Sequence, residues 1–477
     1  MKSLFGSSFP KCVGSLLLLL AAVQTTVAQE RNDDSTLARA QEVLRSEIKG
    51  IIDQSGIPSI SIVLMKDDQI VWAEAFGYAN VRLKVPASPD SIYCVGSCFK
   101  PVTAMAVLQL ADKGLLKLDD PVNPHLGDDA IKEFADQSEP ITIRHLLSHF
   151  SGLPGGAEAL PLWERAQPRT LQQIASNVRP ENAAGKQYLY SNIGYAFAGL
   201  LVEKVSGQSY QRYVVENILK PVGVISSGPV NPTPEMIEQL ALPYRTDDGR
   251  SVPERLHRLD VFPAGEIYLS APDMGRILLT HLNEGKHDGD TILSKANIEE
   301  MRTPQFGGSD GLDFGIRNFE GSKLIMHGGG VPGYSSKFIL DVDSTVGVYV
   351  VSNAGGAQRP MQLLAQLSID LLNGRDVGKG LVRPIVGLGA DLAIDEDTGL
   401  LRIMYVHPNS PAGDARLSDG TLISSINGVS VEGKDIAECL ALLRGEAGAS
   451  VQLETINSRS NETKTVALTR RKVLVPN

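Results

Sequence analysis

The sequence predicts an α+β fold: one antiparallel sheet flanked by terminal helices, with an inserted helical subdomain, followed by a small β-rich unit. Three observations carry this. Strand-like runs at 59–65 and 69–76 come early, and those at 324–326, 336–340 and 346–351 follow a helix-rich middle of about 120–300. Helical patterns at 36–54 and 361–372 bracket those strands. After Asn373-Gly374-Arg375 the text changes to strands with short turns and one helix near 434–443. Strands on both sides of a helical stretch form one sheet when that stretch is an insertion.

The start of the chain reads as an address. Lys2 and Lys11 precede an apolar run over 13–23, and Thr26-Val27-Ala28 offers small residues for cleavage. That is the pattern of a secretory signal peptide, with an apolar part short for a bilayer span. Cys12 heads the apolar run instead of following a cleavage site, which disfavours a lipoprotein anchor. The expected units are a signal peptide at 1–28, a first domain at 29–375 and a second at 376–477. Losing two lysines with residues 1–28 moves the formal charge from −10 to −12. Such acidity argues against nonspecific binding to nucleic acid or anionic membrane. Three cysteines remain, Cys94, Cys98 and Cys439, a sparse odd count that reads as core residues and not as a disulfide framework.

Each element has its own signal. The helix at 36–54 has Ser35 as a plausible N-cap and Leu37, Val43, Leu44, Ile48 and Ile51 on its apolar side. Lys66-Asp67-Asp68 separates the first two strands, which then form a hairpin. A helix beginning at Ser97 runs through Ala104, Val107 and Leu110 to about Asp112, with Pro101 in its first turn, where a missing N–H is tolerated.

Ser97-Cys98-Phe99-Lys100 puts a hydroxyl and an amine on one helix face. An aliphatic hydroxyl is a poor nucleophile until a neighbour takes its proton, and a partly desolvated lysine can do so. Ser46-Glu47-Ile48-Lys49 has the same spacing and reads as ordinary helix surface. Tyr190-Ser191-Asn192 precedes a helix-like run at 193–204. A tyrosinate beside a cationic lysine is stabilised, which makes Tyr190 a candidate base. Asn192 is a candidate to orient Lys100 and to bind a substrate amide oxygen. His327-Gly328-Gly329-Gly330 follows a short strand, and its glycines would let a substrate lie against an edge backbone. Tyr78-Ala79-Asn80, His125 with Gly127 and His287 with Gly289 match the same patterns, so each triplet alone is cheap.

Order and context are more specific. Ser97-Cys98-Phe99-Lys100-Pro101-Val102-Thr103-Ala104 is followed by Gly114-Leu115-Leu116-Lys117-Leu118-Asp119-Asp120-Pro121. Then come Ile141-Thr142-Ile143-Arg144-His145-Leu146-Leu147-Ser148-His149-Phe150-Ser151-Gly152-Leu153 and Gly185-Lys186-Gln187-Tyr188, leading into Tyr190-Ser191-Asn192. Pro263-Ala264-Gly265-Glu266-Ile267-Tyr268-Leu269-Ser270 and His327-Gly328-Gly329 complete the set. Across about 36–373 this text resembles the serine β-lactamase and D-Ala-D-Ala peptidase superfamily, on the branch of class C β-lactamases and related esterases. The resemblance implies an acyl-enzyme on Ser97, with Lys100 and Tyr190 shuttling its proton. It also implies an oxyanion hole from the backbone N–H groups of Ser97 and Gly330, donors worth about 3–4 kcal/mol each. One departure stands out: His327 replaces the lysine of class C β-lactamases. An unperturbed imidazole, with a pKa of about 6.5, is mostly neutral at pH 7, which turns the expectation away from efficient β-lactam hydrolysis.

Rival patterns are weaker. Gly307-Gly308-Ser309-Asp310-Gly311 matches a nucleophile elbow but lacks a strand leading in and a helix leading out. His145 and His149 have the i, i+4 spacing of a zinc helix, with Leu146 where the catalytic glutamate belongs. No metal or other cofactor is expected.

Residues of about 380–472 resemble a PDZ domain of the kind attached to exported bacterial proteases. Gly387-Leu388-Gly389-Ala390 matches the carboxylate-binding loop, and His407-Pro408-Asn409-Ser410-Pro411-Ala412 and Ile423-Ser424-Ser425-Ile426-Asn427-Gly428 match further stretches. Gly420-Thr421 departs from the usual Gly-Asp. The implied partner is a peptide or protein C-terminus added as a strand. The full expectation is an exported serine hydrolase, periplasmic or extracellular and bacterial, acting on a peptide amide or ester. β-Lactamase and carboxylesterase are the alternatives within that class. A non-turnover sensor acylated on Ser97 is the alternative from another class.

Overall fold

The structure, a computed structural model, describes residues 12–132, 134, 139–156, 160–161, 169–176, 178–224, 234–247, 250–258, 261–375, 377, 382–395, 398–406, 410–418, 420–456 and 463–476. Helix α1 (Cys12–Ser55) leads into the hairpin β1 (Ser59–Lys66) and β2 (Gln69–Asn80), followed by the short β3 (Val85–Pro86). Helix α2 (Lys100–Asp112) leads into the helix-rich middle, to which α3 (Asn192–Ser206) and α4 (Ala271–Leu282) belong. The chain then returns to the sheet with β4 (Gly315–Phe319), β5 (Ser322–Val331), β6 (Tyr334–Asp341) and β7 (Val346–Ser352), and α5 (Gln358–Leu372) follows. The sheet order is β4-β5-β6-β7-β1-β2-β3, antiparallel throughout. The early and late strands meet at the β1–β7 pair, Ile60 opposite Ser352 and Lys66 opposite Val346.

Burial explains why β1 and β7 read as continuous apolar runs. Ile60, Ile62 and Leu64 face one core with Leu44 and Ile48 of α1 and Met361 and Leu364 of α5. Val63 and Met65 face the other, with α2, α3 and α4. Both faces of these strands are covered, so alternation is lost. Helix α2 is buried from Lys100 to Leu110, enclosed by its neighbours and not laid on a surface.

One boundary differs from expectation. Ser35 does not cap a helix: α1 runs unbroken from Cys12 past it to Ser55, a stretch without a proline to stop it. No helix among the described residues is long and apolar enough to cross a membrane. Residues 1–11 of the expected signal peptide lie outside the described residues.

The C-terminal part is β-rich with its own core. Strands Ala390–Ile394, Leu401–Val406, Leu422–Ile426, Ser450–Ile456 and Thr463–Thr469 form one antiparallel sheet in that order, and Val382–Gly387 pairs with Arg471–Pro476. Leu401, Ile403, Ile423, Cys439, Val451 and Leu453 are buried together. Helix Ile436–Leu443 begins at a capping box of Asp435 and Glu438. The loop Gly387-Leu388-Gly389 joins two strands, with Leu388 buried and its carbonyl accepting from Ala412 N at 2.9 Å. Thr421 Oγ1 accepts from Ser418 N at 3.4 Å, a side-chain oxygen closing the turn where an aspartate was expected. His407, Pro408 and Asn409 lie outside the described residues.

Candidate active site

Ser97 sits on a tight turn locked from two sides. Strand Ile92–Cys94 pairs with Tyr268–Ser270, and Val95 N donates to Ile267 O at 3.0 Å. A single 3₁₀ turn, Gly96–Phe99, then feeds α2 at Lys100. The expected helix therefore begins one turn later than Ser97, and the tighter winding keeps the hydroxyl beside the lysine. Lys100 Nζ donates to Ser97 Oγ at 2.8 Å and to Ala264 O at 2.9 Å. Lys100 is wholly buried, and burial pulls its pKa down to about 8 even though the Asp313 charge acts the other way. Its ammonium lies 4.8 Å from the Tyr190 ring centre and 5.7 Å from that of Tyr195. The rival pair, Ser46 and Lys49, is exposed on α1, where Lys49 meets Asp53 at 3.6 Å. Burial separates two identical spacings.

Tyr190 and Asn192 reach the site by the start of α3. Ser191 caps this helix, accepting from Gly194 N at 2.8 Å. The Tyr190 hydroxyl bonds the Ser97 side chain, yet burial and the Asp313 charge push the phenol well above its ordinary pKa. A readily formed tyrosinate is therefore not what this geometry provides: a buried anion next to a buried carboxylate is doubly penalised. Asn192 also departs from expectation. Its Nδ2 donates to Gly155 O at 3.0 Å, and the partners of Lys100 Nζ are Ser97 and Ala264 instead.

The third segment is part of a longer strand than the sequence suggested. β5 runs on through His327 and the glycines to Val331. β4 pairs with it only as far as Met326, so His327 to Val331 pair on one side alone, with β6. Gly329 makes the close approach possible: a Cβ there would lie 2.2 Å from Ser336 Oγ and 2.3 Å from Val95 O. Gly330 N is brought beside the Ser97 turn, 3.1 Å from where a Cβ on Gly96 would stand.

Two residues of the site escaped sequence reasoning. Asp313, fully buried, accepts from His149 Nε2 at 2.9 Å and faces His327 Nε2 at 3.4 Å, both through Oδ1. Burial alone would lower the His327 pKa, but the charge and hydrogen bond of Asp313 win and push it up to about 9. The expectation of a neutral His327 at pH 7 is thus corrected: the imidazole has a buried carboxylate partner that favours its charged form. The zinc reading also falls. His145 Nδ1 closes a capping box with Thr142, while His149 lies past the end of helix Ile143–Leu147 with φ of 65°. Ser309 sits in a loop and donates to Asp310 at 3.3 Å, with no strand before it.

A protein-family model described as Beta-lactamase matches residues 44–372. Protein flp of Staphylococcus aureus (strain N315) is 25% identical over 338 residues, covering 70% of this chain and 67% of that protein. Penicillin-binding protein 4* of Bacillus subtilis (strain 168) is 27% identical over 317 residues, covering 61% and 67%. Among solved structures, the octameric penicillin-binding protein homologue from Pyrococcus abyssi aligns with a TM-score of 0.61 at 26% identity. It covers 91% of this chain and 98% of that one.

Proposed function

The chain belongs to the β-lactamase family and is a serine hydrolase, and from that premise we propose that it forms an acyl-enzyme on Ser97 from a peptide amide or ester. The observation that carries this is the buried Lys100 amine 2.8 Å from Ser97 Oγ. In its neutral form Lys100 takes the hydroxyl proton as Oγ bonds to the carbonyl carbon. The oxyanion falls to the N–H groups of Ser97 and Gly330. As the carbon–nitrogen or carbon–oxygen bond breaks, the proton passes from Lys100 through the neutral Tyr190 hydroxyl to the leaving atom. Water then repeats the sequence in reverse and releases the acid. The imidazolium of His327 holds an anionic group of the substrate, and Asn192 binds the substrate's amide oxygen. A penicillin fits the same scheme, so the charge of His327 returns the β-lactamase reading to consideration.

The C-terminal part acts, in this reading, as a PDZ domain over 376–477. A peptide C-terminus would take the N–H groups of Gly387, Leu388, Gly389 and Ala390. Strand Ala390–Ile394 supports this, since it ends the order of its sheet. The hydrolase domain spans 29–375, and residues 1–28 direct export from a bacterial cell.

Intact-mass analysis after exposure to penicillin and a panel of small esters tests acylation. An adduct on the wild-type chain that is missing in Ser97→Ala is expected. Absence of both adduct and turnover removes the enzyme reading, and a long-lived adduct without turnover favours the sensor.

The two shifted groups also set a pH profile. Lys100 must lose its proton to act and does so through about 8, while His327 must keep its own and loses it through about 9. For an anionic substrate, kcat/KM should therefore rise through the first value and fall through the second, both belonging to the coupled site. A plateau from pH 6 to 10 would contradict these assignments.

A further inference from the structure

His149, Asp313 and His327 are far apart in sequence and meet in one buried cluster, with side chains 2%, 0% and 13% exposed. What each imidazole meets at its far nitrogen decides its protonation. Ser191 N donates to His149 Nδ1 at 3.0 Å, so that nitrogen carries no hydrogen, and Nε2 holds the ring's proton and donates it to Asp313. His149 is thus neutral. His327 is the opposite case. Its Nδ1 lies 2.7 Å from Gly328 O, which only accepts, and its Nε2 faces the Asp313 carboxylate, which also only accepts. Both nitrogens need a hydrogen, which makes the ring an imidazolium.

The backbone is committed to this arrangement. His149 and Asp313 both have positive φ, 65° and 66°, in the left-handed region that side-chain-bearing residues rarely adopt. The other groups facing the pair do not compete for the role. Lys100 repels a proton on His149; Tyr190 is a neutral phenol 6.2 Å from the His327 ring centre, and Tyr195 and Tyr188 are neutral phenols 5.3 and 5.7 Å from that of His149; Cys98, buried against the His327 carbonyl, favours the charged imidazole less than Asp313 does; and Phe338 is apolar.

We propose that Asp313, anchored by the neutral His149, is a positioning residue that holds His327 as an imidazolium and so makes the site selective for substrates bearing an anionic group. The anion would sit beside the scissile bond, along the half of β5 that β4 leaves unpaired. This rests on the acyl-enzyme reading above for its kinetic consequence but not for the protonation states.

The experiment joins histidine nitrogen NMR with kinetics on the full-length chain. In the wild type at pH 7.5, His327 should show two protonated nitrogens and His149 one. Asp313→Asn keeps the size, and its amide oxygen still accepts from His149, but it removes the negative charge that holds the second hydrogen on His327, which should become neutral. The variant also lowers the charge near Lys100, so the readout is a ratio. The kcat/KM for an ester carrying a carboxylate, over that for its uncharged analogue, should fall about 10–100-fold at pH 7.5. Adding His327→Lys to Asp313→Asn restores a cation and should recover most of that ratio, a rescue that a merely structural carboxylate would not allow. A neutral His327 in the wild type, or an unchanged ratio in Asp313→Asn, overturns the proposal. If Asp313→Asn does not fold, the wild-type spectrum decides. If the wild type turns over neither ester, the acyl-enzyme reading fails while the spectrum still decides the protonation.

Discussion

Lys100→Met should slow acylation of Ser97 by about 10²–10⁴-fold, the range a positioned general base contributes, and leave the fold standing. With a pKa near 8, roughly a tenth of the Lys100 amines are neutral at pH 7, and each is already 2.8 Å from the hydroxyl it must deprotonate. Nothing else at the site can take over. Tyr190 bonds the same hydroxyl but is held protonated by burial and by Asp313, and His149 has its free nitrogen engaged by Ser191. Methionine keeps an unbranched stem in the buried space at the start of α2 and removes an ammonium whose burial is costly. The Ala264 carbonyl loses one donor, worth about 1 kcal/mol, so the unfolding midpoint should stay close to that of the parent. Single-turnover release from a p-nitrophenyl ester, with thermal unfolding alongside, checks both halves. Wild-type acylation by a folded Lys100→Met would remove the lysine from the mechanism.

The fold was legible wherever a local pattern and its burial agree. The hairpin β1–β2 follows from two apolar runs and a charged turn, with Asp67 at φ of 54° between them. The helices flanking the sheet follow from apolar positions such as Leu44 and Ile48, which do face the core. The site was legible only in part, because its chemistry depends on partners brought in by tertiary structure. Ser97-x-x-Lys100 is visible in sequence, but only burial separates it from Ser46-x-x-Lys49. His327 is visible too, yet its charge is set by Asp313, which lies in a polar, glycine-rich stretch with no periodic signal. His149 stood inside a quoted segment, where attention went to its spacing from His145. That spacing misleads, since the helix ends at Leu147 before His149 turns away. Asn192 shows the same limit: the residue type was noticed, but its Gly155 partner comes from a loop with no pattern of its own.

Gly265→Ala should cost about 10²–10³-fold in kcat, the scale of losing one oxyanion donor, with a lower unfolding midpoint. Gly265 has φ of 135° and ψ of 14°, a conformation other residues do not hold without strain. Space is the stronger objection. An alanine Cβ would lie 2.3 Å from both the carbonyl carbon and oxygen of Gly96, and 2.8 Å from Ser97 N. These are backbone atoms of the turn that carries the nucleophile, so no side chain can swing aside to relieve the clash. The turn must move, and Ser97 N moves with it away from Gly330 N. Ala264 is the preceding residue, so the carbonyl that holds Lys100 shifts as well. Two features of the proposed mechanism are therefore disturbed by one methyl group that touches neither substrate nor catalytic side chain. Gly50→Ala is the matched control. It lies inside α1, where the new Cβ would come no closer than 3.8 Å to the Gln54 side chain. It should stabilise the fold by about 0.5–1 kcal/mol and leave turnover alone. If Gly265→Ala and Gly50→Ala behave alike in both rate and midpoint, the turn is not the rigid support that this geometry requires.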